Sequence, residues 1–173
     1  MANTNQSNKI VPVFFGCDNR FTPYFMTCLA SLIDHTSKRR KYEIHVLHTD
    51  IEEATEELVK KMETPNVSIE FNNVSESIKD ITSNLPIRDY YSPSTYFRLL
   101  IAHDFPQYHK AVYIDSDMIV MDDIAKLYDT QLGNSYVGAV PEAVLSVLPA
   151  CSDYVSKVLN IEPRKYFNAG MLV

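Results

Sequence analysis

The sequence is poor in several residues that mark common protein classes. It has no tryptophan, four glycines and three cysteines among 173 residues. The cysteines, Cys17, Cys28 and Cys151, are odd in number, widely spaced and without a C-x-x-C pair. This pattern is typical of reduced thiols in a cytosolic protein rather than of a disulfide framework. The signatures G-x-G-x-x-G and G-x-x-x-x-G-K-[ST] are also missing, which argues against a dinucleotide dehydrogenase and a P-loop enzyme.

Basic residues are also few, with 16 lysines and arginines against 22 acidic residues and a formal net charge of −6. A general nucleic-acid-binding protein would show a basic face, so this charge argues against that class. An anionic ligand remains compatible, because one bound metal ion inverts the local charge. The basic turn at residues 38–41 is expected to be a solvated loop or, alternatively, a patch that contacts anionic lipid.

No signal peptide and no apolar run long enough for a membrane span is visible in the sequence. We therefore expect a cytoplasmic protein, with contact to the inner face of the membrane as the open alternative. The polar residues 1–9 are predicted to be a disordered lead-in, and residues 10–173 are predicted to form one domain with its own core.

Short apolar segments alternate with helical patterns along the chain. Four strands are predicted, at residues 10–15, 42–47, 67–71 and 111–114. Helices are predicted after the first two strands, and Asp50 with Glu53 predicts a capping box at the start of the second helix. This alternation predicts an α/β fold in which helices flank a mostly parallel sheet.

The second half of the chain continues this pattern less regularly. A helix is predicted from Pro93, with Ser92 as its N-cap, and Arg98 stands on it among apolar neighbours. Further strands are predicted at residues 136–140 and 166–173, with a helix at residues 153–159 between them. The last strand stops within an apolar run, so we expect the sequence to be a fragment of a longer enzyme that is incomplete at its C-terminus.

Two carboxylates, Asp115 and Asp117, directly follow the apolar strand at residues 111–114. Neighbouring carboxylates at the end of a buried strand are costly unless a positive group lies beside them. Ligands of open α/β sheets bind beyond the carboxyl ends of the strands, which is where this pair lies. Hard oxygen ligands suit Mn²⁺ or Mg²⁺ bound to phosphates. The pair therefore predicts a metal–diphosphate site, the alternative being a turn residue followed by a surface residue.

Other polar residues are expected near the same edge of the sheet. Asp18 and Asn19 follow the first strand and can offer hydrogen bonds to a base or a ribose, or can form an Asx turn into the helix. Arg98 can bind a diphosphate or the acidic pair, or can form a surface ion pair. Asn168 precedes Ala169 and Gly170 and either lies beside the crevice or marks a bend. Cys17 lies on the same loop but has no evident base beside it, so it is not a candidate nucleophile.

Five segments, in order, resemble the retaining glycosyltransferases of family 8, the group of bacterial lipopolysaccharide galactosyltransferases and glycogenin. Each segment alone is weak evidence, but five in the family's order at plausible spacing are specific. The resemblance extends over nearly the whole chain, from Ile10 to Val173. Its segments are F-G-C-D-N at 15–19, S-T-Y-F-R-L at 94–99, K-A-V-Y-I-D-S-D-M-I-V at 110–120, D-D-I with L-Y between 122 and 128, and Y-F-N-A-G at 166–170.

The resemblance implies a GT-A, Rossmann-like domain that binds a UDP-sugar through Mn²⁺ or Mg²⁺. It assigns Cys17, Asp18 and Asn19 to the first nucleotide loop, with Asp18 at the uracil edge, and Ser116 to the ribose. It assigns the metal to Asp115 and Asp117. By the same resemblance, Arg98 and Asn168 meet the diphosphate and the donor sugar.

The implied activity is transfer of glucose or galactose from a UDP-hexose to a glycan or lipid-linked saccharide, as in lipopolysaccharide biosynthesis, with retention of the anomeric configuration. The sequence departs from the family at Arg20, where an asparagine that meets the ribose is frequent. The family's third metal ligand, a histidine, comes from beyond the N-A-G segment, outside these 173 residues.

Two other interpretations compete with a glycosyltransferase. A phosphatase of the haloacid dehalogenase type also has a D-x-D after a strand, but usually on the first strand and followed by a threonine. Here the pair lies past residue 110 and is followed by Met118. The second alternative is a non-catalytic fragment that binds a nucleotide or a metal ion without transferring sugar.

Overall fold

The computed structural model of the chain describes residues 10–82, 93–144 and 148–173. These residues belong to two compact units, Met1–Thr130 and Gln131–Val173. The predicted lead-in at residues 1–9 and the predicted cap Ser92 lie outside the described residues, and the prediction of one domain stays a prediction.

A parallel sheet forms the centre of the first unit. Its strands, in the spatial order β3-β2-β1-β4, are β1 (Ile10–Gly16), β2 (Lys41–His48), β3 (Val67–Asn73) and β4 (Val112–Ile114). Val13 of β1 lies beside Ile44 of β2 on one side and Val112 of β4 on the other. Strands of a parallel sheet covered on both faces are expected to be continuously apolar. The central strand β1 fits this rule, since all its residues except Ile10 are buried.

Helices pack around this sheet and close the core of the first unit. The longest is α1 (Thr22–Asp34), which carries Phe25, Cys28, Leu29 and Leu32 on its buried side, and the Phe25 ring meets the Phe15 ring of β1 edge to face. The others are α2 (Glu53–Lys60), α3 (Ser75–Thr82), a 3-10 helix (Pro93–Leu99), α4 (Ile101–Asp104) and α5 (Ala125–Tyr128). The predicted α/β fold with a mostly parallel sheet is confirmed.

The predicted helix from Pro93 begins at that residue as a 3-10 helix, and α4 follows it at Ile101. One local prediction in this unit is wrong. The predicted capping box is absent, because α2 follows Glu52 with no side-chain cap. The Asp50 carboxylate instead accepts a hydrogen bond of 3.1 Å from the backbone N–H of Asn19. A long-range contact thus replaces the local cap, and it ties the loop after β1 to the loop after β2.

The second unit contains an antiparallel strand pair, β5 (Ala139–Pro141) and β6 (Phe167–Leu172). Its helix α6 spans Pro149–Lys157, and a second 3-10 helix spans Pro163–Lys165. The predicted strand at residues 136–140 therefore begins later, and the predicted helix at 153–159 begins and ends earlier. Among the described residues of this unit, Val155 is the one buried apolar side chain.

Candidate active site

A cleft of about 160 Å³ lies in the first unit at the carboxyl end of the parallel sheet. The 3-10 helix, the segment after β4 and the loop after β1 supply its walls. Its lining residues are Gly16, Phe21, Ser94, Thr95, Arg98, Tyr113, Asp115, Ser116 and Asp117. The cleft therefore brings together four of the predicted site residues, which are Arg98, Asp115, Ser116 and Asp117.

Two of the lining residues, Arg98 and Asp115, form an ion pair. The Arg98 side chain is 12% exposed, and its Nη2 donates to Asp115 Oδ1 at 2.9 Å. Arg98 Nε also donates to the backbone carbonyl of Thr95 at 2.9 Å. The guanidinium is therefore held by its own helix and by the segment that follows β4.

Tyr113 contacts both members of this ion pair. Its hydroxyl donates to the same Asp115 oxygen, Oδ1, at 2.8 Å. Its ring centroid is 4.4 Å from the Arg98 guanidinium carbon, a distance typical of a cation–π contact. Burial raises the pKa of the Tyr113 hydroxyl above its usual value, so this group stays protonated and remains a donor at neutral pH.

Ser116 and Asp117 directly follow Asp115 and also line the cleft. Ser116 is buried, whereas Asp117 is exposed. Within residues 10–82, 93–144 and 148–173, neither the Asp117 carboxylate nor Asp115 Oδ2 has a hydrogen-bond or ion-pair partner. These uncommitted oxygens fit a hard divalent cation, which favours carboxylate ligands. The described part of the chain contains no cluster of three metal-ligating side chains, so Asp115 and Asp117 would be a partial ligand set.

The loop after β1 is closed by Asp18. Its Oδ1 accepts hydrogen bonds from the backbone N–H groups of Arg20 and Phe21, both at 3.0 Å, as in the Asx turn considered above. Asn19 is held through its backbone by Asp50. The Cys17 side chain is buried and does not line the cleft, and burial raises the pKa of its thiol to about 12. The thiol is therefore inert, as expected for a cysteine that is not a nucleophile.

Asn168 lies on β6 in the second unit. Its Nδ2 donates to Glu142 Oε2 at 3.1 Å, and its Oδ1 accepts from the backbone N–H of Gly170 at 2.7 Å. The side chain is exposed, and both its amide nitrogen and its amide oxygen are hydrogen-bonded. Its predicted contact with a donor sugar stays a prediction.

Five of the lining residues, which are Gly16, Phe21, Ser94, Thr95 and Tyr113, were not predicted as site residues. The Phe21 ring is 41% exposed, which is unusual for phenylalanine, and it directly follows the polar loop. A Cβ on Gly16 would lie 2.9 Å from the Ser94 carbonyl oxygen and 3.3 Å from the Tyr113 hydroxyl. Their position in the sequence was the available signal, since each of the five lies within four positions of a predicted site residue.

The basic turn at residues 38–41 is partly neutralised within the fold. Arg40 forms an ion pair with Asp129, and the Lys41 ammonium donates to the Pro65 carbonyl. Two of its four cationic side chains are thus already engaged, which favours the solvated-loop interpretation. Across the described stretches of the chain, no helix combines the length and the apolar character needed to cross a bilayer.

Comparisons with known proteins place this geometry among glycosyltransferases. The sequence model of glycosyl transferase family 8 matches residues 12–173. A putative glycosyltransferase of Haemophilus influenzae is 26% identical over 167 residues, which are 96% of this chain and 48% of that protein. The chain thus spans about half the length of this relative.

Solved structures agree with the sequence match. The apo structure of the bifunctional glycosyltransferase WbbM superposes with a TM-score of 0.80 at 30% identity, over 99% of this chain and 32% of that one. The galactosyltransferase LgtC, solved with donor and acceptor sugar analogues, superposes with a TM-score of 0.77 at 23% identity, over 94% and 56%. These neighbours have the predicted GT-A fold. The chain belongs to glycosyltransferase family 8.

Proposed function

We propose that the cleft binds a UDP-sugar together with Mn²⁺ or Mg²⁺, and that the whole protein transfers the hexose, glucose or galactose, to a glycan or lipid-linked acceptor. One observation carries this proposal. Arg98 is paired with one oxygen of Asp115, while the other oxygen and the neighbouring Asp117 have no partner among the described residues.

Charge explains why a metal ion belongs to this proposal. Asp115 and Asp117 bring two negative charges to the cleft, and a diphosphate brings more. Like charges a few ångströms apart repel strongly in a partly buried site. Arg98 neutralises one carboxylate, so a bound diphosphate requires further positive charge. A divalent cation on the two aspartates would supply that charge and stabilise the leaving diphosphate.

Arg98 then has a defined role during sugar transfer. Cleavage of the anomeric C–O bond leaves negative charge on the UDP phosphate. A preorganised guanidinium stabilises such developing charge without needing to reorient. No pair of carboxylates suited to double displacement was found in the sequence. We therefore propose retention through attack on the same face, assisted by the leaving phosphate.

The loop after β1 is the proposed site of the uridine. Asp18 and Asn19 lie on a turn that is already hydrogen-bonded to Asp50 and to its own backbone. The exposed Phe21 ring beside this turn lines the cleft and offers an aromatic face to a base. Ser116 lines the same cleft and is the proposed ribose contact. Asn168 is the proposed contact of the donor sugar.

A second candidate is a chain that binds nucleotide and metal without transferring sugar. Two observations favour it for these 173 residues. The chain spans 48% of the Haemophilus protein and 32% of WbbM. The described residues also provide two carboxylates but no third metal ligand in the cleft. For the whole protein we propose a cytoplasmic enzyme that acts in surface-glycan synthesis, such as that of lipopolysaccharide.

Calorimetric titration of UDP into the protein tests the binding site. We expect binding in Mn²⁺ that disappears with a chelator and weakens by about tenfold or more in Asp117→Asn, because the substitution removes one anionic metal ligand. Asp122→Asn is the matched control, since Asp122 is an exposed aspartate of the same unit that pairs with Lys126 outside the cleft.

Equal binding with Mn²⁺ and with chelator would contradict the metal site. Release of UDP from UDP-glucose or UDP-galactose in the presence of a saccharide acceptor would then separate the two candidates. Turnover supports the transferase, whereas metal-dependent binding without turnover supports the non-catalytic alternative for this chain.

A further inference from the structure

We propose that Tyr113 is a positioning residue of the donor site, which holds both the Asp115 carboxylate and the Arg98 guanidinium in place for the diphosphate. This inference rests on the proposed function of the cleft. Tyr113 lines the cleft but is 4% exposed, so it acts on the ligand through its two neighbours.

The Tyr113 hydroxyl fixes the orientation of the Asp115 carboxylate. The hydroxyl and Arg98 Nη2 both donate to Oδ1, at 2.8 Å and 2.9 Å. Two donors on one oxygen stop rotation of the carboxylate about its last bond. They also leave the second oxygen, Oδ2, without a partner among the described residues. That second oxygen is the one available to a divalent cation.

The Tyr113 ring fixes the Arg98 guanidinium. The ring centroid lies 4.4 Å from the guanidinium carbon, and the contact is largely buried, where a cation–π interaction is strongest. Arg98 Nε is tied to the Thr95 carbonyl. The guanidinium is therefore restrained by a ring, a carbonyl and a carboxylate, and its orientation is set before a ligand arrives. Such preorganisation lowers the entropic cost of binding.

The position of Tyr113 is itself rigid. It lies in β4, beside Phe14 of the central strand. A Cβ at position 16 would lie 3.3 Å from its hydroxyl, which is a tight contact, so the glycine leaves room for the hydroxyl. The same Cβ would meet the Ser94 carbonyl at 2.9 Å, next to the residue that holds Arg98 Nε. Gly16 thus admits both the hydroxyl and the 3-10 helix that carries Arg98.

Two other tyrosines show what is particular to Tyr113. Tyr42 donates to Asp123 at 2.7 Å, and Tyr108 donates to Glu43 at 2.6 Å. All three hydroxyls bind carboxylates inside the first unit, but only the partner of Tyr113 lines the cleft. Tyr42 is 1% exposed and is therefore a matched control for loss of a buried hydroxyl bound to a carboxylate.

Three variants of the full chain test the proposal. Tyr113→Phe removes the hydroxyl and keeps the ring, Tyr113→Leu removes both, and Tyr42→Phe is the control. The first measurement needs no ligand, because ¹⁵N NMR reports how fast the Arg98 Nε–H exchanges with water. We expect exchange to accelerate by a few-fold in Tyr113→Phe and by about tenfold or more in Tyr113→Leu, and to be unchanged in Tyr42→Phe.

The second measurement is the titration of UDP with Mn²⁺. We expect the dissociation constant to rise by about tenfold in Tyr113→Phe and to be unchanged in Tyr42→Phe, with both variants losing similar stability to urea. A merely structural tyrosine would change stability without this difference in binding.

The two measurements test two claims separately, which are the positioning role of Tyr113 and the proposed function of the cleft. Unchanged Arg98 exchange in both Tyr113 variants overturns the positioning role, and so does faster exchange with unchanged UDP affinity. If Tyr113→Leu does not fold, Tyr113→Phe alone decides. A wild-type protein that binds no UDP refutes the proposed function, and Arg98 exchange still decides whether Tyr113 positions the guanidinium.

Discussion

The two units of this chain differ in how many of their apolar side chains are buried. The first surrounds a four-stranded parallel sheet with apolar side chains on both faces, and its central strand is buried along almost its whole length. The described part of the second has one buried apolar residue, Val155, and its strands β5 and β6 have no buried position. Apolar composition alone does not separate the units, because Val140, Val158 and Phe167 are as apolar as the core residues of the first.

This difference in burial determines which unit can hold a site with precise geometry. Burial of an aliphatic or aromatic side chain contributes roughly 1.5–3 kcal/mol, so a unit rich in such residues can hold polar groups in fixed positions. Arg98, Tyr113 and Asp115 stand on this rigid part of the molecule. Asn168 stands on a strand whose side chains are exposed, and two hydrogen bonds of its own amide fix it instead.

The largest expected difference between the units comes from removing one phenylalanine in each. Phe14 is fully buried against the rings of His45, Phe105 and Tyr108, so Phe14→Ala should lower the free energy of unfolding by about 3–5 kcal/mol. Phe167 is 50% exposed, so Phe167→Ala should cost less than about 1 kcal/mol. Urea denaturation of both variants measures the two losses. Equal losses would contradict the difference in burial between the two units.

A smaller difference is expected from adding one methyl group to a glycine in each unit. In Gly16→Ala the new Cβ meets a backbone carbonyl, that of Ser94, which cannot move without shifting the 3-10 helix. We expect a loss of about 1–3 kcal/mol. In Gly138→Ala the contacts are the side-chain ends of Leu132 and Val173, which can rotate away, so the loss should stay below about 1 kcal/mol.

The UDP titration sharpens this second test. Gly16→Ala should also weaken UDP binding in Mn²⁺, because the displaced helix carries Arg98. Gly138→Ala should leave binding close to that of the wild type. Normal binding by a folded Gly16→Ala protein would show that the close approach of Ser94 does not matter for the site.

The smallest expected effect is a dependence of stability on pH that belongs to the first unit. Burial lowers the pKa of His45 and of His48 in the folded protein. Nearby carboxylates raise these pKa values, but by less than burial lowers them. They are those of Glu70 and Glu43 for His45 and those of Glu56 and Asp50 for His48. The unfolded state then binds more protons below about pH 6.5, so stability falls as the pH decreases through that value. The free energy of unfolding, measured in urea between pH 7.5 and pH 5.5, should have a positive slope.

His45→Gln should reduce this slope, and a slope identical to that of the wild type would exclude His45 as its source. Residues 131–173 contain no histidine. Hydrogen exchange in α6, corrected for intrinsic rates, should therefore change less with pH than exchange in β1 and β2.

Much of the first unit could be predicted because its strands lie in apolar or alternating stretches of the sequence. β1, β2 and β4 were visible without any tertiary information, and the carboxyl end of β4 indicated where Asp115 would lie. Asp50 was mispredicted because its partner, Asn19, is 31 residues away, and a local rule for helix caps cannot detect such a contact. Tyr113 was missed for a related reason, since an aromatic residue within an apolar strand is normally part of the core.

The order of the strands has a consequence for how the cleft is assembled. Val13 pairs with Ile44, which lies roughly 30 residues further along the chain, and with Val112, roughly 100 residues further, so the second pairing closes a longer loop and costs about 1 kcal/mol more chain entropy. Asp115 and Asp117 follow the strand with the longer closure. A ligand that touched both the Asp18 turn and these aspartates would act as a crosslink between the ends of that loop, and its binding energy would oppose the separation of β4 from the sheet.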